Sequence, residues 1–427
     1  MPEFVPPLAN DKNEKLNTWL DISPESDFGI HNLPYGIFST PSRRPRVGVA
    51  IGDQIIDLAA VAMRGHFQSL SIEPEVLEQP SLNAFVRLGK PTWQAVRKRL
   101  TDWLTQTDSP LQHLRNECFV AQSEAKMHLP LEIGDYTDFY ASETHATNVG
   151  TMFRGKENAL MPNWKHMPIA YHGRASSIVV SDTDIRRPKG QIMLQGADQP
   201  MFGATQALDF ELEMAAVIGK NSELGISLRP EEAEDYIFGF VLFNDWSARD
   251  IQRWEYVPLG PFLGKNFASS ISPWVVPLEA LEPFRVEGAE QQPKPLPYLQ
   301  TSGKRNFNIN LEVAIQPEGE SETIVSQTNF KNMYWGVGQM LAHHTVNGCN
   351  LRIGDLLASG TISGNEPGSY GSLLELSWNG ERPLKINANQ TRTYLEDGDT
   401  VTLRGCARKE GIRVGFGEVR TKILPSL

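Results

Sequence analysis

The run Leu208-Asp209-Phe210-Glu211-Leu212-Glu213-Met214 constrains this chain more than any other. It alternates strictly, and a period of two puts Asp209, Glu211 and Glu213 on one face of a strand and Phe210, Leu212 and Met214 on the other. Three carboxylates on one strand face repel each other. A solvated edge would tolerate them, but Ala215-Ala216-Val217-Ile218 carries the strand into an apolar run, which predicts burial. Buried carboxylates need partners, and a hard dication is the most economical one. A second apolar run, residues 237–243, stops at Asn244-Asp245 and delivers an acid to a sheet end, where sites form. With Asp138, the acids Glu211, Glu213 and Asp245 make an all-oxygen ligand set, which favours Ca²⁺ or Mg²⁺ over zinc or copper.

Asp138 lies in residues 134–150, a stretch with three carboxylates, two phenols and one histidine. Its turn-forming and capping residues predict irregular backbone at a surface or cleft. The functional reading is that Asp138 helps to hold the cation and His145 activates a water. The alternative is a polar turn carrying a solvated histidine. Downstream, Arg249, Gln252 and Tyr256 are spaced i, i+3, i+7 and share one helix face; a plain surface helix is the alternative. Gly264-Lys265 suggests a phosphate-binding loop, but Gly260 is one residue too close and Asn266 replaces the required Ser or Thr.

The remaining chain sets the frame. Its 427 residues suffice for two or three domains. With 40% hydrophobic and 21% charged residues it is neither disordered nor fibrous, and a net charge of −11 argues against nucleic acid as a partner. The three cysteines, Cys118, Cys349 and Cys406, form no CxxC pair, which leaves no thiol zinc site and fits a reducing cytoplasm. No signal-peptide pattern opens the chain, and no apolar run approaches the about 18 residues of a membrane span, so a soluble protein is expected. Residues 1–30 read as a polar arm. Strands are expected at 33–38 and 46–58, with a hairpin turn at Gly52-Asp53, and an amphipathic helix or two over 82–106 through Trp93, Val96, Leu100 and Trp103. This small α+β module, residues 1–122, carries no constellation of chemistry. After a linker at 123–131, strand-like runs recur at 177–181, 210–218, 238–243, 274–277, 307–315 and 400–403. One helix is expected at 329–344, with Met333, Val337, Met340 and Leu341 as its stripe, and a Pro-interrupted loop at 284–301. Residues 123–427 therefore read as a large, mostly β domain. The chain has no GxSxG elbow, HExxH or GxGxxG motif. His343-His344 reads as packing or capping, and His166 and His172 as loop-ordering.

Seven motifs together resemble the fumarylacetoacetase family: Asp135-Tyr-Thr-Asp-Phe-Tyr140, His145-Ala-Thr-Asn-Val-Gly150, Phe153-Arg-Gly-Lys-Glu-Asn158, Tyr171-His-Gly-Arg-Ala-Ser-Ser177, residues 208–214, Asn244-Asp-Trp-Ser-Ala-Arg-Asp250 and Leu356-Leu-Ala-Ser-Gly-Thr-Ile-Ser-Gly364. The likeness runs from the N-terminal module to Gly415-Phe416-Gly417. It implies hydrolysis of 4-fumarylacetoacetate to fumarate and acetoacetate, the last step of tyrosine and phenylalanine breakdown. It also implies an SH3-like N-terminal β-barrel followed by a β-sandwich roll, in a cytoplasmic homodimer. Ca²⁺ would fall on Asp138, Glu211, Glu213 and Asp245, and a second cation, often Mg²⁺, near Asp245, Lys265 and Ser269. Ala268-Ser269 stands where Gly-Thr is expected, and residues 141–144 also depart from the family pattern. By resemblance His145 is the general base and Glu375, in Ser372-Leu373-Leu374-Glu375-Leu376, orients it. Arg249, Gln252 and Lys265 would serve the oxyanion and the leaving group, and Tyr140, Arg154, Tyr171, Gln252, Tyr256 and Thr361 would bind substrate. Asp135 and Glu143 find no partner and read as surface or turn residues. The alternatives are an acylpyruvate hydrolase or oxaloacetate decarboxylase of the wider superfamily, and a non-catalytic Ca²⁺-binding β module.

Overall fold

The turn-bounded apolar runs become strands in the computed structural model, which describes residues 16–427. The first fifteen residues of the expected polar arm lie outside the described residues. The remainder of that arm packs: Leu20 and Ile30 are buried, and the Trp19 indole donates to the Trp103 carbonyl at 2.9 Å.

Strands β1 (Tyr35–Thr40), β2 (Arg43–Ile51) and β3 (Gln54–Asp57) form an antiparallel meander. The β2–β3 turn is Gly52-Asp53, and Gly52 takes a φ of +58°, where a Cβ would cost energy. Helix α1 (Lys90–Thr105) buries Trp93, Val96, Leu100 and Leu104 along one stripe. Next come β4 (Phe119–Ala121), β5 (Lys126–His128), β6 (Tyr136–Phe139), α2 (Glu143–Arg154), β7 (Ala170–His172), β8 (Ile178–Val180) and β9 (Ile185–Arg186). The C-terminal part continues with β10 (Leu212–Ile218), β11 (Ile237–Asp245), α3 (Arg249–Glu255), β12 (Ser269–Ile271) and β13 (Trp274–Pro277). It ends with β14 (Asn310–Gln316), β15 (Thr323–Asn329), α4 (Val337–Thr345), β16 (Leu356–Ala358), α5 (Leu373–Leu376), β17 (Thr400–Lys409) and β18 (Ile412–Leu424).

The molecule is mostly β, built on two sheets. The larger runs β4-β3-β2-β1-β13-β11-β10-β16-β6-β7, with β5 added to β1, and β12 to β11 and β8. The smaller runs β15-β14-β17-β18-β9. Met214, Ala216, Phe240 and Leu242 pack with Leu311, Val313, Leu403 and Phe416 in one core. Ala215, Val217, Val241 and Phe243 pack with the N-terminal module in another. The two central strands, β10 and β11, are thus covered on both faces, which is why they read as continuous apolar runs.

The expected N-terminal barrel does not close among the described residues. The second edge of β1 is shared: residues 37–39 pair with β5, while Tyr35 and Gly36 pair with Val275 and Trp274 of β13. The meander therefore runs on into the large sheet. Two further expectations are corrected. The strand expected at 210–218 begins at Leu212, because the Asn244 side chain takes the Glu211 N–H at 3.0 Å and interrupts the ladder. Residues 329–344 are not one helix. Asn329 ends β15 and caps a single turn over Phe330–Asn332, and α4 starts at Val337. No described helix is long and apolar enough to cross a membrane.

Candidate active site

Apolar strands deliver four acids to one place. Asp138 lies near the end of β6, Glu213 near the start of β10 with Glu211 just before it, and Asp245 closes β11. All four are buried, and their candidate ligand oxygens lie within 4.8 Å of one another. Burial, with the neighbouring Asp245 and Glu211 charges, pushes Asp138 well above the usual carboxylate range. Burial, Asp138 and Asp245 do the same to Glu213. Glu211 goes the other way: burial opposes its charge, but Lys265, Arg249 and His145 overcome that and bring it down to about 2. Asp138 Oδ1 and Glu213 Oε1 are buried without a hydrogen-bond partner. Orphaned, mutually repelling oxygens fit a hard metal ion, so the cluster could hold one.

Two cations border the cluster. Lys265 Nζ donates to Glu211 Oε2 at 2.5 Å and to Asp245 Oδ2 at 2.7 Å. Arg249 is buried at the start of α3; its Nη1 lies 2.6 Å from Glu211 Oε1 and donates to Gln252 Oε1 at 3.3 Å. Arg249 Nη2 lies 2.8 Å from Asp209 Oδ2 without an aligned hydrogen bond.

His145 enters from the first turn of α2, where the Ser142 cap accepts its backbone N–H at 3.3 Å. Its Nδ1 is 2.7 Å from Glu375 Oε2. A carboxylate at Nδ1 selects the tautomer protonated there and leaves Nε2 with its lone pair free. Glu375 is fully enclosed. Oε2 also accepts from Ser363 Oγ at 2.8 Å and Ser372 Oγ at 3.0 Å, and Oε1 from Asn148 Nδ2 at 2.9 Å. Burial alone would raise its pKa, but His145 and these donors together lower it. The pair is therefore an imidazole held against a carboxylate that stays ionised.

Other expected residues join unequally. Tyr171 donates its hydroxyl to Asp245 Oδ2 at 2.6 Å, and Ser269 Oγ donates to Asp245 Oδ1 at 3.3 Å. The Tyr140 ring meets His145 edge-on, with centroids 5.1 Å apart. Thr361 Oγ1 is buried and has no partner. Arg154 and Tyr256 stay exposed, and the Arg154 guanidinium donates to the carbonyls of Asn158 and Ala159. Residues 134–150 are less irregular than expected: β6 and α2 fill most of them. Glu143 and Asp135 do have partners, pairing with Lys165 and Arg352. His344 Nε2 meets Thr137 Oγ1 at 3.1 Å and His343 Nδ1 meets the Tyr298 hydroxyl at 3.0 Å, consistent with packing roles.

Sequence reasoning passed over Asn148, Ser363 and Ser372. Two had a signal. Ser372-Leu-Leu-Glu375 is a capping-box spacing, and Asn148 sits one turn after His145 on the same helix face.

Residues 31–130 match the family model described as "Fumarylacetoacetase N-terminal", and residues 136–424 match "Fumarylacetoacetate (FAA) hydrolase C-terminal". The fumarylacetoacetases of Caenorhabditis elegans and Rattus norvegicus are 54% and 53% identical to the chain over 96% of its length, and over 100% and 99% of theirs. The chain belongs to the fumarylacetoacetase family. Every residue of the acid cluster and of the His145–Glu375 pair falls inside the C-terminal fumarylacetoacetase match. Among solved structures, a fumarylacetoacetate hydrolase from Exiguobacterium antarcticum superposes with a TM-score of 0.52 at 18% identity. It covers 92% of this chain and 99% of that one, and at this identity the likeness is one of fold.

Proposed function

We propose that the chain is a metal-dependent hydrolase that cleaves the C–C bond of the β-diketone 4-fumarylacetoacetate, giving fumarate and acetoacetate, the last step of tyrosine and phenylalanine breakdown. The observation that carries this is one buried site containing both an orphaned all-oxygen cluster and the His145–Glu375 pair, in a chain over half identical to curated fumarylacetoacetases along almost its whole length.

The Asp138, Glu211, Glu213 and Asp245 oxygens would hold Ca²⁺ or Mg²⁺, which when bound supplies Lewis acidity to the diketone oxygens and to enolate charge. His145 Nε2 takes a proton from water as the water oxygen bonds to the fumaryl ketone carbon. Glu375 holds the imidazole in place and offsets the positive charge it gains. Arg249, Gln252 and Lys265 stabilise the tetrahedral oxyanion and the leaving enolate. The C–C bond breaks, the fumaryl carbon becomes a carboxylate, and the acetoacetate carbon takes up a proton. Tyr140, Tyr171, Gln252 and Thr361 line the substrate's reacting end. Arg154 and Tyr256, at the exposed rim, suit its terminal carboxylates, Arg154 through its two-pronged donor geometry. A second cation would use Asp245 and the Ser269 hydroxyl. Lys265 could join it only through its carbonyl, since its ammonium is held charged between two carboxylates.

Three unpaired cysteines fit a reducing cytoplasm. Exposed Val257, Leu259, Phe262 and Leu263 fit a homodimer contact. We propose a domain boundary at residue 122, where the module that contributes no acid to the buried cluster ends. The test is loss of the β-diketone ultraviolet absorbance after adding Ca²⁺ or Mg²⁺ to metal-stripped protein. Fumarylacetoacetate should be consumed and an acylpyruvate left intact; the reverse preference would overturn the proposal.

A further inference from the structure

Asp209 is the acid of the alternating run that the metal cluster leaves out. Spacing alone puts it on the face of Glu211 and Glu213, yet the ligand oxygens gather without it. The reason is the break before Leu212: residues 208–209 pair instead with Ser247 and Ala248, immediately ahead of Arg249. Asp209 is fully buried, and both of its oxygens are used. Oδ1 accepts the Leu373 N–H at 2.7 Å, and Oδ2 accepts the Leu374 N–H at 2.9 Å. Oδ2 also accepts from Arg249 Nε at 2.8 Å, with Nη2 equally close. Leu373 and Leu374 open α5, the short helix that carries Glu375.

One carboxylate therefore grips two separate pieces of the machinery. On one side it holds the guanidinium that contacts Glu211 Oε1 at 2.6 Å. On the other it fixes the backbone of the turn that presents Glu375 to His145. A carboxylate that only neutralised Arg249 would not need two backbone amides from α5. A residue that only capped α5 would not need to face a guanidinium. Because one carboxylate holds both, it fixes the distance and angle between the oxyanion donor and the orienter of the base, and small misplacements of such groups cost large factors in rate.

We infer that Asp209 is a positioning residue that locks Arg249 and the Glu375 helix into one unit, so that the oxyanion donor and the base face the same carbonyl. This rests on the reading that Arg249 and the His145–Glu375 pair perform the chemistry. The test is a double-mutant cycle on the full-length, calcium-loaded enzyme, with kcat for fumarylacetoacetate and the melting temperature measured for each variant. Asp209→Asn keeps the size of the side chain and one amide acceptor. Alone it should lower kcat by about 10- to 100-fold while the protein remains folded. In a Glu375→Gln or Arg249→Lys background the same change should cost less than about threefold, because the unit is already broken. Equal losses in all three backgrounds would mean a general structural role and would overturn the inference, as would wild-type kcat in Asp209→Asn. If the Asn variant does not fold, Asp209→Glu, which keeps the charge on a longer arm, carries the same cycle. Full activity of Glu375→Gln and Arg249→Lys taken singly would instead remove the reading of the site, and the inference with it.

Discussion

His145 and Glu375 are 230 positions apart in sequence and 2.7 Å apart in space. At the scale of the residue, the site is a matter of how each charge is satisfied. Glu375 has four donors around two oxygens, whereas Asp138 and Glu213 each keep an oxygen with none. The first pattern belongs to a group that must stay ionised and still, the second to groups that need a cation. His145→Ala is expected to lower kcat by about 10²-fold or more while calcium affinity, read by calorimetry, stays near that of the parent. A variant keeping a tenth of the activity would contradict the role of base. The pH dependence of stability follows from Glu375. Its folded pKa lies below the ordinary 4.5, so its contribution is fully present above that pH and is lost as pH falls through the folded value. As pH falls below 4.5 the parent should therefore lose melting temperature more steeply than Glu375→Gln; parallel curves would show that the pair does not stabilise the fold.

At the scale of the element, three helices (α2, α3 and α5) and three strand ends bring the candidate residues together. Helix α2 brings both His145 and Asn148 to Glu375, and its far turn is fitted closely to the chain that follows. A Cβ at Gly150 would fall 1.7 Å from the Ala159 carbonyl oxygen, a backbone atom that cannot swing away. Gly150→Ala is expected to destabilise the protein by about 1–3 kcal/mol and, by shifting α2, to lower kcat/KM about tenfold or more. Denaturant melts and initial rates check both, and an unchanged rate would show that the helix does not set the position of the base. Element type was readable where periodicity was strong, as in α1 and β11. It failed at 329–344, where a stripe of apolar residues is shared between the end of a strand, a single turn and the real helix. Local side-chain capping by Asn329, and not the apolar period, decided that boundary.

At the scale of the whole molecule, the larger sheet passes from the N-terminal meander through β13 to the site, so the module without chemistry forms part of the wall behind the acids. Charge is unbalanced there: among the described residues, Asp138, Asp209, Glu211, Glu213, Asp245 and Glu375 are buried with Lys265, Arg249 and the His145 imidazole. A bound dication relieves that repulsion in the folded state alone. Chelator treatment should lower the melting temperature, and calcium at about a hundred times its dissociation constant should return about 2.7 kcal/mol of stability. A melting temperature indifferent to both would argue against a cation in the cluster.

By itself the sequence determined the acids and the family. Strict alternation before an apolar run marked Glu211 and Glu213, an apolar strand ending in an acid marked Asp245, and long motifs identified the relatives. Those signals are local, and local patterns survive in one dimension. What tertiary structure alone decided was which acid does what. Asp209 and Glu211 look equivalent along the strand, but the Asn244 side chain breaks the ladder between Asp209 and Leu212. One acid turns to Arg249 and α5, the other to the buried acid cluster. The barrel expected of the N-terminal module likewise opened because β1 found a partner edge more than 230 residues away. Pairings of that range depend on packing between distant segments, which no periodicity within either segment encodes.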